Sequence, residues 1–120
     1  PVYIDYGWAD SLKFFSLYAL RLSNIMGCMI QSFRCKSTQA AFEGECPQRF
    51  SAIQAVAERK LAQLEAAQTL DFLRSPPGNR LEKLAGDREG QWSIRINAQW
   101  RICFTWSDLG PANVEIVDYH

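Results

Sequence analysis

Between residues 92 and 106 apolar and polar side chains change places at almost every step, and this period of two constrains the fold more than any other feature. Trp92, Ile94 and Ile96 alternate with Ser93, Arg95 and Asn97; Trp100, Ile102, Phe104 and Trp106 then alternate with Arg101, Cys103 and Thr105. Two such runs make an antiparallel hairpin, and their phase selects its loop. A two-residue turn at Asn97 and Ala98 would set Ile94 against Arg101 and mix the faces. A three-residue connection through Gln99 sets Ile96 against Trp100 and Ile94 against Ile102, so that loop is expected. It brings Arg95 opposite Arg101 on the polar face, where like charges repel unless something negative lies between them. Such a pair is a seat for a phosphate, or else both side chains reach into water or pair with Glu115 or Asp118.

Around the hairpin the other elements follow from periodicity and punctuation. A last strand over residues 113–117 follows a turn at Asp108, Leu109, Gly110 and Pro111, with Val114 and Ile116 paired inward with Phe104 and Trp106. Extending that pairing carries Tyr119 alongside Arg101 and leaves His120, the one histidine, at the free end. Over residues 47–67, Phe50, Ile53, Val56, Ala57, Leu61 and Leu64 recur at helical spacing, with Arg49, Glu58, Arg59, Lys60 and Glu65 on the other face. Thr69 caps a short turn burying Leu70, Phe72 and Leu73, and Ser75, Pro76, Pro77 and Gly78 take the chain out of it. Residues 29–34 make a short strand, and Ser37 or Thr38 caps a short helix through Phe42 that Gly44 ends.

The chain has 120 residues, enough for one core and not two. Thirteen basic residues balance thirteen acidic ones, which excludes the broad basic field of a free-standing nucleic-acid binder. A local site is left open, because Arg74, Arg80, Lys83, Arg88, Arg95 and Arg101 outnumber Glu82, Asp87 and Glu89 in one stretch. The cysteines Cys28, Cys35, Cys46 and Cys103 fit no zinc pattern and read as reduced thiols, and nothing calls for a metal or another cofactor. Residues 11–26 are apolar but carry Lys13 and Arg21, too short and too charged for a membrane span, and acidic residues precede them where a signal peptide wants basic ones. Residues 1–28 are expected to be an upstream extension of the reading frame, with Met29 the native start and residues 29–120 the domain. The alternative is a helix whose Phe14, Leu17 and Tyr18 pack on the domain or on a partner.

The stretch RLEKLAGDREGQWSIRINAQWRICF, followed by VEIVDYH, resembles the HigB toxins of the RelE/ParE superfamily, and the likeness runs from MIQSFRC to the final histidine. The resemblance implies an α+β fold in which an N-terminal strand and helices pack on a small twisted antiparallel sheet. It implies a metal-independent, ribosome-dependent endoribonuclease of the bacterial cytoplasm that cuts messenger RNA in the ribosome's decoding site, with no membrane partner. Its other partner would be a helix-turn-helix antitoxin of the HigA type, through which alone it would reach operator DNA. Asp118, Tyr119 and His120 match the family's catalytic ending. Some members carry a second catalytic histidine just after the leucine matching Leu81, where this chain has Glu82, so a mechanism with two imidazoles cannot operate here.

What remains still suffices for cutting RNA. His120 has a side chain that titrates near neutral pH and suits acid or base work. Glu82 or Asp118 is its expected complement, Glu82 as a base unless it is a solvated carboxylate paired with Arg80 or Lys83, and Asp118 as the group that orients His120; which group is acid and which base is left open. Arg101, with Arg95 or Arg88, would stabilise the phosphorane, Arg80 and Lys83 would add phosphate contacts, and Tyr119 would stack on a base. Two other function classes use the same fold: a ParE-like inhibitor of DNA gyrase without nuclease activity, and a non-catalytic module that only receives an antitoxin.

Overall fold

A computed structural model describes residues 29–76 and 78–118. The expectations for residues 1–28, for Tyr119 and for His120 lie outside them. Four antiparallel strands form one sheet in chain order: β1 (Glu82–Lys83), β2 (Trp92–Arg95), β3 (Trp100–Ser107) and β4 (Gly110–Asp118). The central hairpin has the expected register, with Ile94 opposite Ile102 and Arg95 opposite Arg101. Ile96 N–H donates to Trp100 O at 2.9 Å. Asn97 fastens the loop, its Oδ1 accepting from the backbone N–H groups of Gln99 and Trp100, each at 2.8 Å. A side chain that bonds its own turn in this way is what asparagine supplies at such positions.

The last strand departs from its expected register. It begins at Gly110, because only Asp108 and Leu109 form the turn and Ser107 pairs directly with Gly110. A bulge between Cys103 and Thr105, with Asn113 in the left-handed region at φ 53°, then shifts the pairing by one residue. Val117 stands opposite Arg101 and Asp118 opposite Trp100, so Tyr119 is not the residue paired with Arg101. The tighter turn and the extra residue at the bulge move the whole strand end.

Residues 29–34 are extended along β4 but meet it in a single parallel bridge, Phe33 to Val114, instead of a regular strand. The backbone N–H of Gln31 donates to Pro111 O at 2.8 Å and that of Arg34 to Val114 O at 2.9 Å. At Gly110, with φ 123°, a Cβ would lie 2.3 Å from Met29 O, so only glycine permits this approach.

Among the described residues, two helices cover one face of the sheet. In α1 (Lys36–Phe42) the cap is Cys35, whose Sγ accepts from Thr38 N–H at 3.4 Å. Neither Ser37 nor Thr38 caps it. Thr38 is buried instead, and its Oγ1 accepts from Ile116 N–H at 2.9 Å, fastening the helix to β4. Gly44 ends the helix as expected, with φ 97°, while Glu45 N–H reaches back to Ala40 O at 2.9 Å. The long helix is interrupted: a 3₁₀ turn (Gln48–Phe50) precedes α2 (Gln54–Ala66), and the tighter winding turns both Phe50 and Ile53 inward. Ala57, Leu61 and Leu64 from α2 meet Ile94, Ile102, Phe104, Val114 and Ile116 from the sheet in the core. Trp100 closes its end, edge-on to Phe50 with ring centroids 5.5 Å apart.

Two residues expected on the polar face of α2 are in fact buried. Lys60 is 7% exposed and donates to Asn79 Oδ1; Glu65 is 2% exposed and accepts from Ile30 N–H at 2.9 Å. Both were misplaced because periodicity counts charge as exposed, whereas each finds a partner inside. Thr69 caps the 3₁₀ turn Leu70–Arg74 and Leu73 is buried, but Phe72 is 47% exposed because a turn this short buries one side chain fully. Among the described residues no helix is long and apolar enough to cross a membrane.

Candidate active site

The face of the sheet turned away from the helices carries a row of side chains running across all four strands. Glu82 stands opposite Ser93, Ser93 opposite Cys103, and Cys103 opposite Glu115. The next row holds Arg95, Arg101 and Val117. Strict alternation along β2 and β3 therefore lays two cations beside a line of short polar groups flanked by two carboxylates.

Arg101 is the fixed point of this face. Its Nε donates to Ser93 Oγ at 2.7 Å and its Nη2 to the backbone oxygen of Arg80 at 2.8 Å. Glu82 Oε1 lies 3.7 Å from the same Nη2. The Arg101 side chain is only 11% exposed, whereas that of Glu82 is 58% exposed. A clamped cation thus underlies an accessible carboxylate, and the repulsion expected between Arg95 and Arg101 is met by Glu82 rather than by Glu115 or Asp118. Glu82 pairs with Arg101, and not with Arg80 or Lys83.

Arg88 holds the other flank. Leaving the 3₁₀ turn Gly86–Arg88, its Nη1 donates to Gln91 Oε1 at 3.1 Å and lies 3.5 Å from Glu115 Oε1. Arg34 Nε approaches the same oxygen at 3.9 Å. Between the flanks Cys103 is fully buried, and burial pushes its thiol pKa up, with Arg88 and Arg101 opposing and Glu115 adding to that effect. No thiolate nucleophile is offered there.

The remaining sequence-derived candidates are distributed unevenly. Arg80 sits at φ 46° and contributes its carbonyl to the Arg101 clamp. Lys83, one residue past Glu82, belongs to the opposite face, its Nζ 5.9 Å from the centroid of the Trp92 ring. Arg95 is half-buried, and its backbone N–H donates to Asn79 O at 2.6 Å. Asp118 stands opposite Trp100, on the face of Ile116, and accepts from Gln99 Nε2 at 3.1 Å, so it lies beside the hairpin loop on the face opposite Arg101. Sequence reasoning missed Ser93, the acceptor that aims Arg101, although the hairpin register already set it diagonal to that residue. It also missed Asn79, which no residue pattern signals.

Known proteins resemble the chain over most of its length. Residues 31–120 match a family described as RelE-like toxin of type II toxin-antitoxin system HigB. The chain is 42% identical over 94 residues to Toxin HigB-1 of Vibrio cholerae serotype O1, a match spanning 77% of this chain and 98% of that protein. It is 44% identical over 41 residues to Endoribonuclease HigB of Proteus vulgaris, covering 34% of this chain and 45% of that one.

Proposed function

The chain belongs to the HigB family of RelE-like toxins from type II toxin–antitoxin systems, and from that premise we propose that it is an endoribonuclease that cuts messenger RNA on the ribosome. An antitoxin is its partner by membership of such a system; the proposal makes that antitoxin a helix-turn-helix protein of the HigA type. The observation that carries the nuclease reading is the Arg101 guanidinium, clamped by Ser93 and Arg80 and lying under the exposed Glu82 carboxylate. Added support comes from the relative whose name states the activity.

The reaction needs three services. The 2′-OH gives up a proton and its oxygen bonds to the neighbouring phosphorus; the bond from phosphorus to the 5′ oxygen breaks; that oxygen then takes up a proton. Glu82 is the base, accessible to solvent and 3.7 Å from the Arg101 guanidinium. His120 is the acid, with Asp118 two residues before it to orient it. Arg101 sits where negative charge builds on the phosphoryl oxygens, already fixed before substrate arrives, with Arg88 across the face as a second cation. Arg95 and Arg80 add contacts to neighbouring phosphates, and Tyr119 stacks on an unpaired base. In a chain of zero formal net charge, these local cations suit a substrate already positioned by the ribosome.

The test is message cleavage in a purified translation reaction, with and without ribosomes, by the wild type and by His120→Ala. Cuts should require ribosomes and slow by about 10²–10⁴-fold in the variant, as for loss of a general acid. Growth arrest by the wild-type protein without any cut message would refute the nuclease and leave binding to gyrase or another partner as the cause.

A further inference from the structure

Behind the site, a lysine and an asparagine form a buried polar knot that the reaction scheme does not use. Asn79 is wholly buried, and both its backbone and its amide are engaged. Its backbone N–H donates to Pro76 O at 3.0 Å and its carbonyl accepts from Arg95 N–H at 2.6 Å. Its Nδ2 donates to Gln63 Oε1 at 3.0 Å and to Leu73 O at 3.1 Å, while Oδ1 accepts from Lys60 Nζ. One side chain thus ties α2, the 3₁₀ turn after it and the start of the site loop to one another.

Lys60 is an expensive residue for that place. A buried ammonium facing a neutral amide recovers little of its lost hydration. Burial is the main influence holding its pKa below lysine's usual value, and the neighbouring Arg59 and Arg95 cations add to it. Among the described residues no carboxylate lies within ion-pair distance of it. A methionine would fill the same space and leave Asn79 Oδ1 unbonded.

The residue that follows the knot shows what it holds. Arg80 adopts φ 46°, a left-handed conformation that a side-chain-bearing residue keeps only when its surroundings impose it. The carbonyl of that same residue accepts the Arg101 Nη2 proton at 2.8 Å. On the other side, the Asn79 carbonyl bonds the backbone of Arg95, the residue paired with Arg101 across the hairpin. Two backbone attachments of the Arg101 neighbourhood are therefore made at Asn79 or at the residue next to it.

We propose that Lys60 and Asn79 are positioning residues that set the Arg101 guanidinium against the scissile phosphate through the backbone of Arg80. The inference rests on the nuclease reading for its kinetic consequence and on structure alone for its geometric one. Lys60→Met keeps the packing of the stem and removes only the donor. On ribosomes programmed with message it slows the saturated cleavage rate by about 10- to 100-fold, the scale of a misplaced catalytic group, with little change in KM. In an Arg101→Ala background it has no further effect, because the residue it acts through is gone.

A wild-type rate in Lys60→Met, or the same slowing with and without Arg101, overturns the proposal. Should Lys60→Met not fold, Lys60→Gln, which keeps a shorter N–H donor, goes through the same cycle with smaller but equally non-additive losses. The Arg101 Nε–H resonance gives a readout independent of activity. Its exchange with solvent is expected to quicken about tenfold in the variant, through local opening of the clamp. If the wild type cuts nothing, the nuclease reading fails while this measurement still decides the positioning role, and an unchanged exchange rate rejects it.

Discussion

Arg101 shows how much of this site depends on the direction in which one side chain points. Its Nε is held by Ser93 and its Nη2 by Arg80 and Glu82, a fork that a lysine ammonium cannot reproduce. Arg101→Lys should therefore keep the fold and still lose roughly tenfold or more in cleavage rate, measured on ribosome-bound message, since charge without a fixed orientation gives weak preorganisation. Cys103, beside it, has a buried thiol whose pKa burial has raised, whereas Cys46 is exposed. Alkylation followed peptide by peptide should label Cys46 early and Cys103 only when the domain opens; equal rates would show that the sheet face is not covered. Lys60 adds a pH signature. Its folded pKa lies below lysine's ordinary 10.5, so between the two the unfolded chain binds more protons. Relative to Lys60→Met, the wild type should gain stability as pH rises through the lowered pKa toward 10.5, in urea unfolding series. A flat difference would contradict that sign.

At the scale of elements, the joints between pieces carry more consequence than the pieces. Thr38→Val removes the side-chain oxygen that accepts from Ile116 N–H and should cost about 1–3 kcal/mol in urea unfolding, with Thr38→Ser recovering most of it. Gly110→Ala should cost more, because its Cβ would strike the Met29 backbone and the site requires φ 123°. These joints also mark how far the sequence could be read. The hairpin register was legible because period-two alternation leaves one phase that keeps Ile94 and Ile102 on the same side. The β4 register was not, since it depends on a turn of two residues and on a bulge at Asn113, and alternation is blind to both. Helical periodicity placed Leu61 and Leu64 correctly and misplaced Lys60 and Glu65, whose burial rests on partners 19 and 35 residues away. Of the site, the Arg95 and Arg101 pairing could be foreseen and the Ser93 and Arg80 clamp could not, because side-chain aim is set by tertiary contacts.

Over the whole molecule the layout is asymmetric. Helices and the core occupy one side of the sheet, and the other presents Glu82, Arg101, Arg88 and Glu115. With thirteen cations against thirteen anions, nothing in the net charge gathers RNA, so naked RNA should be cut poorly and no broad basic groove is needed. The most direct measurement maps the 5′ ends of message after incubation with purified ribosomes and either wild type, Arg101→Ala or Arg74→Ala. Arg74 is an exposed arginine paired with Asp71, outside the site. Discrete cuts in the ribosome-bound message are expected from the wild type and from Arg74→Ala, with Arg101→Ala slower by about 10²–10³-fold, as for loss of a group that stabilises transition-state charge. Undiminished cutting by a folded Arg101→Ala would contradict the assignment of catalysis to this face.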